Sequence, residues 1–300
     1  MDGRDDRMTV LVNPAAGRGG SAGCRQLASA LRANGIEAEL RLLPATALPD
    51  VVSELLAGGA SLVAVAGGDG TVRAAAERLI GRAATLAVLP MGTLNHFARR
   101  LGIADLETAV AALAGRATTR VAVGIVDDRV FLNTATFGQY AAVVRRRERL
   151  RRWMGKWPAA GFAFARTLRR LHPISLAVDL PEGPVERVSP LLWVGMGRAT
   201  FPRPSRGAVP ADEEALEVVI AHVRTRRAAF AFLARLFVRA VRERPSTGDR
   251  VIEMVHTRSL LLRRPHFLEA TLDGELFRFA APVAVSVQDA ALDVVVPVGS

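Results

Sequence analysis

The chain has 300 residues, half of them hydrophobic, and carries 40 Lys and Arg against 29 Asp and Glu for a formal net charge of +11. That is enough chain for one large or two medium domains with sizeable cores, and the charge calls for anionic partners: nucleotide phosphate, nucleic acid or anionic lipid. The single cysteine, Cys24, excludes an internal disulfide framework and a Cys-based zinc site, while a charged start (Met1-Asp2-Gly3-Arg4) and the lack of any uncharged apolar run of ~18 residues lead us to expect a cytoplasmic chain that does not span a membrane. Lys156 is the only lysine, so neither a Walker A lysine nor a protein-kinase strand lysine exists in the first half.

In chain order, residues 8–12 form a short apolar strand that empties into Asn13-Pro14-Ala15-Ala16-Gly17-Arg18-Gly19-Gly20, followed by a helix over 21–34 that Gly35 ends. Small residues let the backbone approach an anion, and Arg18 adds a cation. The loop is not Gly-x-Gly-x-x-Gly and no acidic residue sits at the expected strand end, which argues against a Rossmann NAD site. A strand over 36–43 and a helix over 49–57 come next. The organising stretch follows: Leu62-Val63-Ala64-Val65-Ala66, a buried strand, stops at Gly67-Gly68-Asp69-Gly70-Thr71 before a helix over 71–80. Three glycines and a helix N-terminus suit phosphate, with Thr71 capping the helix or donating its hydroxyl. The Asp69 carboxylate needs a cation between it and phosphates, so it points to Mg²⁺-nucleotide; the alternative is a tight turn closed by an Asx bond. A strand over 85–89 then leads into Pro90-Met91-Gly92-Thr93-Leu94-Asn95-His96-Phe97-Ala98-Arg99. Regular βα alternation implies a doubly wound parallel sheet whose glycine-bearing turns share one carboxyl edge, where ligand binds.

Asn13-Pro14 with its small-residue loop, Gly67-Gly68-Asp69-Gly70-Thr71, and Pro90-x-Gly-Thr-x-Asn-x-Phe-Ala-Arg, in this order and spacing, resemble the diacylglycerol kinase and sphingosine kinase family of lipid kinases, the soluble bacterial members in particular. The resemblance covers the first ~125 residues most strongly. It implies an α/β nucleotide domain over 1–122 and a β-sandwich domain over 123–300 whose last strand returns to the first, with a cleft between them for a lipid hydroxyl. It further implies ATP as co-substrate with Mg²⁺. Arg73, Leu94 and His96 stand where the family pattern has Asn, Gly and Asp.

After Gly115 the pattern changes: strands over 119–126 and 130–136 flank an Asp127-Asp128 turn. Residues 145–157 pack Arg, one Lys, Trp153 and Trp157 around one acid, which suits an anionic membrane at about 1 kcal/mol per exposed cation; a solvated helix face docking its tryptophans is the alternative. No nucleic-acid recognition module surrounds this cluster, and no nucleic-acid partner is expected. From 173 onward period-two strands at 174–180, 191–196, 216–223, 251–255, 267–272 and 276–279 read as the sandwich, interrupted by a helix over 228–241.

Asp212-Glu213-Glu214-Ala215-Leu216-Glu217 resembles the family's acidic segment holding a structural Mg²⁺, with Asp212, Glu213 and Glu217 as ligands; a solvated acidic loop is the alternative. Asp273-Gly274 between apolar strands is a hairpin signal. By resemblance Asp273 is also the base near the acceptor hydroxyl and Glu275 a carboxylate at the nucleotide. The expected enzyme is therefore an ATP-dependent lipid kinase. Asp273 and Asp69 are its catalytic residues, Asn13, Pro14, Ala15, Ala16, Gly17, Arg18, Gly67, Gly68, Asp69, Gly70, Thr71, Thr93 and Glu275 its nucleotide contacts, and a lipid substrate, the membrane surface and a homodimer its partners. A kinase of a soluble hydroxyl compound such as NAD, and a nucleotide- or lipid-binding sensor, are the alternatives.

Overall fold

The computed structural model describes residues 8–17, 20–138, 174–180, 183–189, 191–197, 215–221, 252–263 and 266–298. The expectations for Arg18, the 145–157 segment, the 228–241 helix, Asp212 and Glu213 lie outside them. The chain divides into two compact units, Met1–Val123 with Gln288–Ser300, and Gly124–Val287.

In the first unit, strands β1 (Met8–Val12), β2 (Ala38–Leu42), β3 (Leu62–Gly67) and β4 (Thr85–Pro90) alternate with helices α1 (Ser21–Ala33), α2 (Leu48–Ala57) and α3 (Asp69–Leu79). The strands lie parallel in the order β2-β1-β3-β4, as the βα alternation requires. Two further helices follow β4: α4 (His96–Arg100) and α5 (Leu106–Gly115). The sequence reading did not delimit α5, which the Asp105 carboxylate caps by accepting from the Thr108 amide at 2.8 Å.

Val10, Leu11, Val12, Val63, Ala64, Val65 and Ala66 are fully buried, as strands covered on both faces must be. Leu27 and Leu31 of α1, Val52 of α2 and Leu79 of α3 cover them, each such side chain contributing about 1.5–3 kcal/mol by leaving water. The final strand β16 (Val283–Val295) brings the end of the chain into this unit, because Asp293 and Val294 pair in parallel with Thr85 and Leu86 of β4. Gln288–Ser300 accordingly groups with the first unit.

The second unit is antiparallel. Strands β7 (Thr134–Gly138), β10 (Leu191–Met196), β11 (Leu216–Ala221), β12 (Ile252–Thr257), β14 (Phe267–Leu272) and β15 (Glu275–Ala280) form a six-stranded sheet in the order β12-β11-β10-β7-β14-β15. Alternate residues from neighbouring strands, Ala135, Phe137, Leu192, Val194, Val218, Ile220, Ala270 and Leu272, are fully buried on one face. Strand β13 (Ser259–Leu262) pairs antiparallel with the first half of β16, β8 (Ile174–Leu180) pairs with β13, and β9 (Gly183–Ser189) pairs with β8. Among the described residues no helix is long and apolar enough to cross a membrane.

Two boundaries depart from the sequence reading. Helix α3 starts at Asp69, with Gly68 as its N-cap and no side-chain cap, so Gly70 and Thr71 lie in its first turn and Thr71 does not cap it. The single strand expected over 130–136 is two: β5 (Thr118–Val126) turns through Asp127 and Asp128 into β6 (Arg129–Phe131), and the chain then breaks before β7. The break has a cause 140 residues away in sequence, since the Asp273 carboxylate takes the amides of Leu132, Asn133 and Thr134.

Candidate functional site

The carboxyl ends of β1, β3 and β4 carry the three glycine-bearing loops. Between β1 and β3 the connections leave in opposite directions, β1 leading to β2 and β3 to β4, which is the switch point where open α/β sheets bind ligands. The loops are tied to each other there. Asn13 Nδ2 donates to Thr71 Oγ1 at 2.9 Å, and its Oδ1 accepts the Ala15 amide at 3.0 Å, closing an Asx turn that shapes 13–16. Both Asn13 and Thr71 are buried, so this is an interior bond between the first and second loops. The amides of Met91 and Gly92 donate to the Gly67 carbonyl at 2.9 and 3.2 Å, joining the second loop to the third.

Small size is what allows the approach. A Cβ on Gly92 would lie 2.5 Å from Gly68 Cα, and one on Gly67 would lie 2.6 Å from the Thr71 Cβ. A Cβ on Gly17 would meet Thr93 Oγ1 at 3.1 Å, which places the first loop beside the third. Within the third loop Asn95, at φ 51°, bridges back to Gly92: its Oδ1 accepts the Gly92 amide at 2.9 Å and its Nδ2 donates to the Gly92 carbonyl at 3.0 Å.

Asp69 also holds the third loop. Its Oδ1 accepts the Phe97 amide at 3.1 Å, supplying an acceptor to the first turn of α4, and Phe97 itself is fully buried. This bond, absent from the sequence reading, leaves Oδ2 without a hydrogen bond among the described residues. One free carboxylate oxygen beside an amide-lined loop fits Mg²⁺, which is held by one or two carboxylates together with substrate phosphates. The expected nucleotide residues Asn13, Pro14, Ala15, Ala16, Gly17, Gly67, Gly68, Asp69, Gly70, Thr71 and Thr93 are thus gathered at one sheet edge. Arg73, two residues further along α3, is buried and pairs with Glu77 Oε2 at 3.2 Å, one turn along the helix.

Asp273, Glu275 and Glu217 belong to the second unit. Asp273 and Gly274, at φ 48° and 89°, form the two-residue loop joining β14 to β15, and Glu275 opens β15 opposite Leu272. The Asp273 carboxylate accepts three amides: Leu132 at 2.6 Å to Oδ2, Asn133 at 2.8 Å and Thr134 at 2.9 Å to Oδ1. Glu217 is buried in β11, in register with Gly195 and His256. Among the described residues no cluster of three His, Cys, Asp or Glu forms a metal site, and the companions expected for Glu217 are outside them.

Residues 7–126 match the model of the diacylglycerol kinase catalytic domain. Over these residues the chain is similar to that family. A relative named "Probable lipid kinase YegS-like" from Pseudomonas aeruginosa (strain UCBPP-PA14) is 44% identical over 90 residues, 29% of this chain and 30% of the relative. Its namesake in Pseudomonas putida is 36% identical over 151 residues, 49% of this chain and 50% of that protein. The chain spans about half the length or less of these curated relatives. The whole chain superposes on the structure described as "Crystal structure of a putative diacylglycerol kinase from Bacillus anthracis str. Sterne", with a TM-score of 0.70, 19% identity and coverage of 97% of this chain and 96% of that one. At that identity the likeness establishes the fold.

Proposed function

We propose that the chain is an ATP-dependent lipid kinase that transfers the γ-phosphoryl group of Mg-ATP to a lipid hydroxyl, that of diacylglycerol or a related lipid. The observation that carries this reading is the junction of three glycine loops at one sheet edge, knit by the Asn13–Thr71 and Asp69–Phe97 bonds and too close at Gly92 for any side chain. The likeness of the first domain to diacylglycerol kinase catalytic domains, and the names of its relatives, support lipid as the acceptor class.

Phosphoryl transfer asks little covalent chemistry of a protein; it asks for positioning and charge neutralisation. The amides of loops 13–17 and 67–71 and the Thr93 hydroxyl would cradle the phosphates. Asp69 would hold Mg²⁺, which neutralises charge developing on the transferred group. Glu275 would assist at the nucleotide, Arg18 would offset phosphate charge in a chain whose first half lacks lysine, and the Asp273 hairpin would serve the acceptor side. Residues 145–157 would bring the enzyme to an anionic membrane surface, where its substrate resides.

The test is transfer of label from γ-labelled ATP with Mg²⁺ to a panel of lipids in detergent micelles, followed by extraction into organic solvent. Label in the organic phase identifies the acceptor. Label found only on a soluble acceptor such as NAD, or nucleotide binding with no transfer at all, rejects the lipid-kinase reading.

A further inference from the structure

We propose that strand β2 is a dimer interface, pairing antiparallel with β2 of a second copy of this chain in one register, centred on Leu40. The dimer needs no assumption about the reaction the chain carries out.

Strand β2 ends its sheet, with β1 on one side and no strand on the other among the described residues. Its ladder to β1 uses alternate residues. The Met8 amide donates to the Glu37 carbonyl at 3.3 Å and the Leu43 amide to the Val12 carbonyl at 3.0 Å, so Glu39 and Arg41 between them also face β1. Ala38, Leu40 and Leu42 therefore turn both amide and carbonyl away from β1, and these groups have no hydrogen bond among the described residues. The open stretch is bounded at both ends: Ile36 gives its amide to the Leu31 carbonyl at 2.9 Å, and Pro44 has no amide to give. Edge strands are ordinarily blunted by a bulge, by lysine or by proline. Here the register with β1 runs unbroken from Ala38 to Leu42, and Ala38-Glu39-Leu40-Arg41-Leu42 holds neither residue. Leu42 is, besides, 56% exposed.

The side chains select the occupant. Glu39 and Arg41 stand either side of Leu40 and point to one face, where Arg41 reaches Glu54 of α2 at 3.7 Å. When two such strands run antiparallel with their Leu40 residues opposite each other, Glu39 of each copy faces Arg41 of the other. Both charge pairs fall at the closer, non-hydrogen-bonded positions of the ladder. On the other face Ala38 comes opposite the exposed Leu42, and every outward amide of the two strands meets an outward carbonyl. Sliding one strand by two residues sets Glu39 against Glu39 or Arg41 against Arg41 and leaves outward groups unpaired. Sliding it by one opposes outward residues to residues already bonded to β1. A second copy thus matches this edge in charge, in apolar cover and in backbone bonds at a single register.

Analytical ultracentrifugation of the purified chain, with amide hydrogen exchange at high and low protein concentration, tests the register. The wild type is expected to dimerise reversibly. Glu39→Arg and Arg41→Glu each set like charges opposite and raise the dimer dissociation constant about tenfold. The double variant restores wild-type association, because the same pairs re-form with their signs exchanged. Leu40→Pro removes an outward amide and no bond to β1, so the monomer keeps its fold and the dimer is lost. In the dimer the amides of Ala38, Leu40 and Leu42 exchange slowly; on dilution they become fast while Glu39 and Arg41 stay slow. A wild type that is monomeric at every concentration overturns the proposal, as does a dimer untouched by Leu40→Pro or a double variant no tighter than the single ones. Slow exchange at Ala38, Leu40 and Leu42 in the monomer overturns it too, since the edge is then covered from within the same chain.

Discussion

Replacing Gly92 by alanine tests the three-loop junction at its tightest point. The added methyl would sit 2.5 Å from Gly68 Cα and 2.6 Å from Asn95 Oδ1, whereas ordinary contact begins near 3.4 Å. The atom in the way is backbone, so the second and third loops must part by about 0.9 Å. Overpacking of this kind costs about 1–3 kcal/mol, because the strain spreads into the Gly67–Met91 and Gly92–Asn95 bonds. Displacing phosphate donors by about 1 Å weakens catalysis on the order of 100-fold. Gly92→Ala is therefore expected to stay folded with a modestly lowered thermal midpoint, and to lose most of its affinity for Mg-ATP in calorimetric titration. Gly58→Ala is the control, since a Cβ there meets only the α2 carbonyls at 3.4 and 3.5 Å. Wild-type Mg-ATP affinity in Gly92→Ala would refute the claim that Gly68 and Gly92 meet at the nucleotide.

Other perturbations separate structural from chemical roles. Asn13→Ala removes a buried bond and strands the Thr71 hydroxyl, for an expected loss of about 1–3 kcal/mol in denaturant unfolding. Adding Thr71→Val should cost less than the sum of the two single changes, and full additivity would deny the coupling. Asp69→Ala should cut activity and shift its Mg²⁺ requirement to higher concentration, and an unchanged Mg²⁺ titration curve would remove Asp69 from the metal role. Asp105→Ala should cost about 0.5–2 kcal/mol through its helix cap. The Thr108 amide, and then its hydroxyl, hold the Asp105 carboxyl below its ordinary value. The cap's contribution is therefore complete above the unfolded-state carboxyl value of about 3.9 and vanishes as pH falls through the lower folded value. The stability gap between wild type and Asp105→Ala should close on acidification, and a gap that widens would contradict this sign.

Much of this was legible in the sequence because glycine and proline punctuate it. Strands β1, β10 and β14 have the expected limits, and the first, second and third loops sit at the sheet edge that βα alternation assigns them. What escaped was long-range bonding by polar side chains. Residues 130–136 are apolar and β-branched enough to read as one strand, and nothing local announces that Asp273 takes three of their amides. Likewise Asp69 looked like a charge in a turn, and its bond to Phe97 depends on how β3 and β4 are placed side by side. The early start of α3 follows from Gly68 adopting extended backbone, φ −94° and ψ 179°, one residue before the helix, a conformation open to any residue and so without a signature. Helix α5 has a clear N-cap in Asp105, but its run of alanine and glycine offers weak periodicity.

The most direct measurement is the hydrogen-exchange footprint of a non-hydrolysable Mg-ATP analogue on the wild-type protein. Slowed exchange confined to 13–17, 67–71 and 91–95, and lost when Mg²⁺ is withheld, is the predicted result. Protection elsewhere with these three loops unchanged at saturating nucleotide would contradict a nucleotide seat at the junction of β1, β3 and β4.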